Sequence, residues 1–290
     1  VSANFFGRPS EKLTLTGVTG TNGKTTTTYL IKSILEAAGQ KTGLIGTINY
    51  MVGDTTLPAP FTTPEAMDFQ RLLNEMYDAG ANHVVSEVSS HALAQDRVDG
   101  SVFRVAVFTN LTRDHLDFHR TMEDYFNAKK RLFTDLLKGI AVINKDDPYG
   151  ERLLQSIGAR AISYGIERKD ADVTANDIKN TADGISFVLR WRGVEFEINS
   201  PLVGMTNVYN TLSAAAAALA LGMDAKAIKE GISALRHVEG RFQKVDVGQG
   251  FLCIVDYAHT EDALQKLIST ARQITGGRII TVFGCGGQRD

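Results

Sequence analysis

The chain has 290 residues, of which 43% are hydrophobic and 22% charged, and its formal net charge is -2. This composition is typical of a globular protein with a large core, and the length predicts about two domains. The small net charge gives no indication of a nucleic-acid partner. The longest run of small apolar residues, 214–221, is too short to cross a bilayer. With only two cysteines and no metal-type spacing, we expect a cytoplasmic protein without membrane insertion.

A glycine-rich turn at residues 17–26 is the strongest signal in the sequence. It reads Gly-Val-Thr-Gly-Thr-Asn-Gly-Lys-Thr-Thr, follows an alternating apolar run and precedes a helix-forming run at 25–38. Backbone N–H groups of such a turn bind phosphate, Lys24 reaches the terminal phosphates, and the Thr25 hydroxyl can hold magnesium. The strict phosphate-loop pattern has glycine where this chain has Val18. The alternative is an ordinary helix start with Thr21 or Asn22 as N-cap.

Strands and helices alternate along most of the following chain. Strands are predicted at 41–50, 83–88, 103–111 and 140–144, with a hairpin or loop at 51–61. Helices are predicted from an N-cap at Thr63 to about Gly80, and at 122–137, 207–221 and 225–235. This rhythm predicts an α/β fold with a mostly parallel, doubly wound sheet. Residues 171–200 alternate differently and predict a small antiparallel excursion.

One glutamate and two histidines are candidates for chemistry on the residues alone. Glu87 ends a buried strand, where it could complete a magnesium shell beside the phosphate loop; the alternative is a solvated glutamate at a strand end. His115 and His119 are four residues apart, which would place both on one helix face, but a zinc pair without a third ligand is weakly supported. The alternative there is that Asp114 or Asp117 caps the next helix.

Two further positions are ambiguous. Asn207 could be the N-cap of its helix or a ligand contact. Lys129 could be an ordinary solvated lysine, yet it lies four residues after Tyr125 and three before Leu132, on the predicted apolar stripe of helix 122–137. A buried lysine loses hydration and its pKa falls, which leaves a neutral amine able to react with carbon dioxide. The neighbouring Lys130 is displaced from that stripe and is expected in solvent.

Taken together, these motifs resemble the Mur ligase family of bacterial cell-wall synthesis. Residues 19–26 look like that family's phosphate loop, which accounts for Val18. The segments 62–64 (Thr-Thr-Pro), 87–91 (Glu-Val-Ser-Ser-His) and 110–117 (Asn-Leu-Thr-Arg-Asp-His-Leu-Asp) are most similar to the MurE branch, the UDP-N-acetylmuramoyl-tripeptide synthetases. Segments 204–210, 240–242 and 255–260 extend the resemblance over nearly the whole chain.

The resemblance implies an ATP-binding central domain at 1–238 of the P-loop type, followed at 239–290 by the truncated beginning of a Rossmann-like C-terminal ligase domain. It implies ATP contacts from Gly20, Thr21, Asn22, Gly23, Lys24, Thr25, Thr26, Asn207, Asn210, Arg241 and Asp256. The UDP-muramoyl-dipeptide would be held by Thr62, Thr63, Ser89, Gln95 and Arg97. Mg²⁺ would be held by Thr25, Glu87, His115 and Lys129, the last as a carbamate, and Lys24, Glu87, His115 and Lys129 would be catalytic.

The activity implied is ATP-driven amide-bond formation through an acyl phosphate, adding diaminopimelate or lysine as the third amino acid, in a monomer. Two positions depart from the family pattern, with Glu261 where proline is frequent and Gln288 where aspartate is frequent. One alternative is another branch of the superfamily, such as a folylpolyglutamate or cyanophycin synthetase. The other is a nucleotide-binding module without turnover.

Overall fold

The computed structural model describes residues 1–158 and 160–284, apart from the side chain of Asp262, so the expectation for Gln288 lies outside the described part. The helices are α1 (Ser2–Phe5), α2 (Pro9–Lys12), α3 (Lys24–Ala37), α4 (Ala66–Asp78), α5 (Ser90–Ala94), α6 (Leu116–His119), α7 (Met122–Arg131), α8 (Pro148–Ser156), α9 (Met205–Ala220), α10 (Ala225–Ala234) and α11 (Glu261–Ile274). The strands are β1 (Thr14–Thr19), β2 (Thr42–Ile45), β3 (Asn49–Val52), β4 (Thr55–Pro58), β5 (His83–Glu87), β6 (Phe103–Phe108), β7 (Leu137–Asn144), β8 (Arg160–Gly165), β9 (Val173–Thr181), β10 (Gly184–Trp191), β11 (Val194–Ser200), β12 (Gln243–Val245) and β13 (Cys253–Val255).

One large sheet contains the strands β1 to β11. Their spatial order is β11-β10-β9-β8-β7-β6-β1-β5-β2-β3-β4. Pairing is parallel from β9 across to β2, and it is antiparallel at both edges, in β9–β11 and in β2–β4. The predicted mostly parallel sheet with an antiparallel excursion is therefore confirmed. The excursion prolongs the same sheet, and β12 and β13 form a separate antiparallel pair.

Helices cover both faces of this sheet, as the doubly wound prediction requires. Neighbouring residues of β5 face opposite cores: Val85 packs in the cluster with Leu30 of α3 and Leu212 of α9, whereas Val84 packs in the cluster with Phe69 of α4. Buried strands with apolar residues on both faces are typical of parallel sheets. Within the described part of the chain, no helix combines the length and hydropathy needed to cross a membrane.

Two local predictions between residues 41 and 66 are wrong. The strand predicted at 41–50 is divided into β2 and β3, because the chain turns at 46–48 around the carboxylate of Glu87, which accepts a hydrogen bond from the Thr47 N–H. Thr63 is not the N-cap of α4; Glu65 holds that position. The Thr63 hydroxyl is instead used in tertiary contacts, since it donates to the Glu87 carbonyl.

Several predicted helix caps are also corrected. Gly23 is the N-cap of α3, so neither Thr21 nor Asn22 has that role. Gly204 is the N-cap of α9, which leaves Asn207 inside the first turn. Neither aspartate near residue 115 is an N-cap, since α6 follows His115 and α7 follows Thr121. The helix predicted at 122–137 exists as α7 followed by a π-helical turn, Leu132–Leu136, after which β7 begins.

Candidate functional site

The loop between β1 and α3 has the geometry of a phosphate-binding turn. Gly20 and Gly23 have φ values of 146° and 89°, in the region that favours glycine. A Cβ atom on Gly20 would lie 1.9 Å from Thr109 Oγ1, and one on Gly23 would lie 2.5 Å from Asn210 Oδ1. Both positions therefore require glycine. The loop leads into the N-terminus of α3, whose first N–H groups have no acceptor within the helix.

Lys24 lies at the first position of α3, and its ammonium is folded back onto this loop. Nζ donates to the carbonyl oxygens of Gly20, at 2.9 Å, and Thr21, at 2.8 Å. Burial lowers the pKa of Lys24, and the negative charge of Glu87 partly opposes that shift. The Gly20 carbonyl also accepts a hydrogen bond from Lys129 Nζ, at 3.0 Å. A partly buried lysine, Lys24, and a fully buried one, Lys129, therefore meet at one loop carbonyl.

A cavity of about 310 Å³ opens in front of the loop. Most of the predicted ATP and metal residues line it, namely Thr21, Asn22, Gly23, Lys24, Thr25, Thr26, Glu87, His115, Asn207, Asn210, Arg241 and Asp256, together with Thr62 from the predicted muropeptide set. Gly20, Thr63, Ser89, Gln95, Arg97 and Lys129 are not among its lining residues. The cavity thus brings together predicted site residues from distant parts of the chain, from Thr21 to Asp256.

Glu87 lies at the carboxyl end of β5 and is fully buried, so the alternative of a solvated glutamate is wrong. Its carboxylate accepts hydrogen bonds from the Thr47 N–H, at 2.8 Å, and from the Thr47 hydroxyl, at 3.0 Å. The Thr47 hydroxyl lies 3.1 Å from that of Thr62. Sequence reasoning missed Thr47 because it fell inside a predicted strand. The preceding Gly46 was the feature of the sequence that could have indicated a turn here. A Cβ at that position would lie 2.6 Å from Glu87 Oε1.

The other predicted muropeptide residues form one hydrogen-bonded network that adjoins Glu87. The Thr63 hydroxyl donates to the Glu87 carbonyl, at 2.9 Å, and accepts from the Ser89 N–H, at 3.0 Å. Arg97 donates to the Thr63 carbonyl, at 3.3 Å, and to Gln95 Oε1, at 2.5 Å. The Nε atom of Arg97 is buried without a hydrogen-bond partner among the described residues. The Arg97 guanidinium also pairs with the Glu65 carboxylate, at 2.9 Å, so an anionic substrate group would have to share it with Glu65.

The two histidines predicted as a possible zinc pair have different surroundings. His115 has a left-handed φ of 55° and precedes α6. The His119 ring stacks on Tyr125, with centroids 5.0 Å apart, and its Nε2 lies 2.9 Å from the Ser90 hydroxyl. Burial lowers the pKa of both rings, that of His119 to about 4. Among the described residues, no three His, Cys, Asp or Glu side chains are grouped so that they could hold a metal, so a zinc centre is not supported there.

Lys129 is only 1% exposed, as its position on the apolar stripe predicts. Beside its bond to the Gly20 carbonyl, its ammonium lies 4.6 Å from the centre of the Tyr125 ring. Among the described residues no carboxylate forms an ion pair with it. Burial places its pKa well below 10.5, and the charge of Lys24 lowers it further. The Tyr125 hydroxyl lies 3.2 Å from Thr21 Oγ1, which joins this helix to the phosphate loop.

The segment after residue 238 contributes a cationic side chain to the cavity. Arg241 donates from a terminal nitrogen to the Thr25 hydroxyl, at 3.1 Å. Asp256 accepts from the N–H groups of Phe242, at 2.6 Å, and Ala258, at 2.7 Å, and thereby fixes the loop that carries Arg241. Glu261 is the first residue of α11, a position where proline is tolerated in helices, so its departure from the family pattern needs no rearrangement.

Two asparagines of α9 also line the cavity. Asn210 donates from its side-chain amide to Asn207 Oδ1, at 2.9 Å, and Asn207 donates to the Val203 carbonyl, at 2.8 Å. The cavity also contains residues that the sequence analysis did not select, including Asp114, Thr206 and His259. Asp114 could have been found from its place after β6, since ligands bind beyond the carboxyl ends of parallel strands.

Comparison with known proteins agrees with this geometry. Residues 18–218 match the Mur ligase middle domain, and residues 240–290 match the Mur ligase glutamate ligase domain. The UDP-N-acetylmuramoyl-L-alanyl-D-glutamate–2,6-diaminopimelate ligase of Geobacter metallireducens is 50% identical over 296 residues, covering 100% of this chain and 58% of that protein. The ligase of the same name from Solibacter usitatus is 49% identical over 289 residues, covering 99% of this chain and 58% of that protein.

A solved structure of a ligase with this name superposes with a TM-score of 0.81 at 35% identity, covering 96% of this chain and 57% of that one. The chain spans 58% of the length of the two ligases from Geobacter metallireducens and Solibacter usitatus. The predicted resemblance and its MurE-type branch are confirmed by these matches. Because the middle-domain match alone covers most of the sequence, the chain belongs to the Mur ligase family.

Proposed function

We propose that this chain forms the ATP-binding and muropeptide-binding part of an amide ligase that joins 2,6-diaminopimelate to UDP-N-acetylmuramoyl-L-alanyl-D-glutamate. Mur ligases use ATP, and the two substrates are those in the names of relatives about half identical to this chain. The observation that carries the proposal is the shared cavity, in which Lys24 and Thr25 of the phosphate loop face Glu87 and Thr62. A nucleotide phosphate and a second substrate could meet there.

In the proposed reaction, a carboxylate oxygen of the muropeptide attacks the γ-phosphorus of ATP, the bond to ADP breaks, and an acyl phosphate forms. The amine of diaminopimelate then attacks the acyl carbon, inorganic phosphate leaves, and the nitrogen loses a proton. Lys24 would exchange its bonds to the Gly20 and Thr21 carbonyls for phosphate oxygens, and the N–H groups that begin α3 would bind the same anion. Arg241 lies close enough to Thr25 to contribute positive charge.

Oxygen donors in the cavity fit a magnesium ion. Thr25 offers a hydroxyl and Glu87 a buried carboxylate in the same cavity, and hard oxygen ligands suit this cation. Bound Mg²⁺ would offset charge on the transferred phosphoryl group. As an ammonium, Lys129 cannot be a ligand. We propose that its neutral amine attacks carbon dioxide, so that an N–C bond forms, one proton leaves, and the resulting carbamate joins His115 as a second ligand pair. The lowered pKa of Lys129 supports this step.

The muropeptide would bind along Thr62, Thr63, Ser89, Gln95 and Arg97, whose network adjoins Glu87. Asn207 and Asn210 would contact the adenosine of ATP. We further propose a domain boundary at residues 238 and 239, a monomer, and a cytoplasmic location, the last from the low cysteine content. Folylpolyglutamate or cyanophycin synthetase activity is less well supported, because the relatives with about half their residues identical are named diaminopimelate ligases.

The proposal is tested with the full-length protein that contains this chain. Inorganic phosphate release is measured with ATP and Mg²⁺ while the muropeptide, diaminopimelate, or both are omitted, and the product is identified by mass. We expect release only when both are present, and no tripeptide product when L-lysine replaces diaminopimelate. Release without muropeptide would refute the ligase assignment. Tight ATP binding without any release would favour the nucleotide-binding module instead.

A further inference from the structure

The side chain of Asn110, just after β6, pairs with the phosphate loop much as a neighbouring strand would. Its Oδ1 accepts a hydrogen bond from the Asn22 N–H, at 3.0 Å, and its Nδ2 donates to the Asn22 carbonyl, at 3.1 Å. The Asn110 carbonyl also accepts from the Thr21 N–H, at 2.9 Å. Asn110 therefore holds the N–H and the carbonyl of Asn22 and also the N–H of Thr21.

This support falls on the part of the loop that is least able to hold its own shape. Asn22 lies between Gly20 and Gly23, both at positive φ, and glycine in such a turn has the largest conformational freedom of any residue. Thr109 adds a second bond to the same carbonyl, since its hydroxyl donates to Asn22 O at 2.6 Å. The Asn22 peptide is thus held from outside the loop by two consecutive side chains.

These contacts also fix the position of the phosphate loop relative to the segment that follows Asn110. The Thr112 N–H donates to Thr21 Oγ1, at 3.0 Å, so residues 110–112 follow the loop for two positions. The chain then continues directly to Asp114 and His115, which line the cavity. Any displacement of Asn110 relative to the loop would therefore move the phosphate-binding groups and this segment apart.

We propose that Asn110 is a positioning residue for nucleotide binding, which holds the phosphate loop in its binding conformation before ATP arrives. The inference rests on the proposed function, because it assumes that this loop binds the ATP phosphates. Asn110 does not line the cavity itself, so it acts through the peptide of Asn22. Pre-organisation of this kind raises affinity by lowering the cost of ordering the loop upon binding.

The test uses the full-length protein with two substitutions at this position. In Asn110→Ala both side-chain bonds are lost without a change of charge, so this variant carries the test. In Asn110→Asp the shape is kept, but an oxygen replaces the Nδ2 donor and faces the Asn22 carbonyl, and the added negative charge also repels ATP. We expect each variant to raise the calorimetric Kd for ATP at least about tenfold, equivalent to about 1.4 kcal/mol, while the Kd for the UDP-muramoyl-dipeptide stays within about twofold. If the Asn110 variants fold poorly, Thr109→Val replaces them in the test. It removes only the second donor to the Asn22 carbonyl and should also raise the Kd for ATP.

Asn82→Asp is the matched control. Asn82 is exposed before β5, at the other end of that strand from Glu87, and its Nδ2 also donates to an oxygen, Gln40 Oε1, at 2.8 Å. Its ATP affinity should equal that of the parent. An unchanged Kd for ATP in folded Asn110 variants, or an equal loss for both substrates, would overturn the inference. A parent protein that binds no ATP would overturn the proposed function and this inference with it.

Discussion

Replacing Lys129 with methionine is expected to make the protein more stable while it removes ligase activity. The lysine side chain is 1% exposed, and within the described residues its ammonium has one hydrogen bond, to the Gly20 carbonyl at 3.0 Å. That carbonyl keeps Lys24 as a donor, at 2.9 Å, so the substitution leaves it satisfied. Methionine has a similar length and flexibility, which preserves packing against Tyr125. A buried ammonium that has no carboxylate partner in the described part of the chain is therefore replaced by an apolar side chain of similar volume.

The magnitude of this effect follows from the difference in the pKa of Lys129 between the unfolded and folded states. Burial places the folded value well below 10.5, the ordinary value. Between these two values the unfolded chain binds a proton that the folded protein does not, so stability falls by up to about 1.4 kcal/mol for each pH unit of decrease. Below the folded pKa the penalty is constant. We expect Lys129→Met to raise the free energy of unfolding by about 1–4 kcal/mol near pH 7, and by less as the pH approaches 10.5.

Urea denaturation in bicarbonate-free buffer, at neutral pH and near pH 10, measures this difference. Lys130→Met is the control, because Lys130 is adjacent and only partly buried, and its replacement should change stability by less than about 0.5 kcal/mol. Turnover of the full-length protein should be lost in Lys129→Met and kept in Lys130→Met. The reasoning is refuted if Lys129→Met is less stable than the parent at pH 7, or if it retains full turnover.

Three further outcomes are expected. Lys24→Ala should remain folded by circular dichroism yet raise the Kd for ATP at least about tenfold, since it removes a charge-assisted bond; unchanged affinity would contradict the phosphate-loop assignment. His119 has a folded pKa of about 4 because of burial and nearby positive groups, so stability should fall as pH decreases from 6.5 towards 4, and His119→Gln should lose less in the same urea series. Arg131 donates to the Leu93 carbonyl and pairs with Asp96 at 2.8 Å, so Arg131→Gln should raise the KM for muropeptide several-fold and leave that for ATP unchanged, which initial-rate kinetics would show.

The features that could be predicted from sequence are those set by near neighbours. The phosphate loop was visible because glycine, lysine and threonine occur at fixed spacing between a strand and a helix. The burial of Lys129 was visible because helical periodicity places it with Tyr125 and Leu132, which are fully buried. Local spacing therefore predicted where Lys24 and Lys129 lie. It did not predict that both donate to the Gly20 carbonyl.

The features that could not be predicted depend on partners far along the chain. The turn that divides β2 from β3 is organised by the Glu87 carboxylate, 40 residues after its partner Thr47. Thr63 is followed by Pro64 and Glu65, a sequence that favours an N-cap. Its hydroxyl instead bonds to Glu87 and Ser89, which lie more than 20 positions further along the chain. A local capping preference is worth about 1 kcal/mol, and two tertiary hydrogen bonds, one buried and one partly buried, can exceed it.

The helix α7 shows how such distant groups are brought to fixed separations. Tyr125 and Lys129 are one helical turn apart on the same face, and they reach Thr21 and Gly20 of the phosphate loop. Arg131 follows two residues later, so it projects to a different side of the helix, where it holds the turn after α5. One helix thus contacts the phosphate loop on one side and, on the other, the segment that carries Gln95 and Arg97 of the proposed muropeptide site. A tilt of α7 would therefore be expected to change both sites together, because the contacts to each start from the same helix.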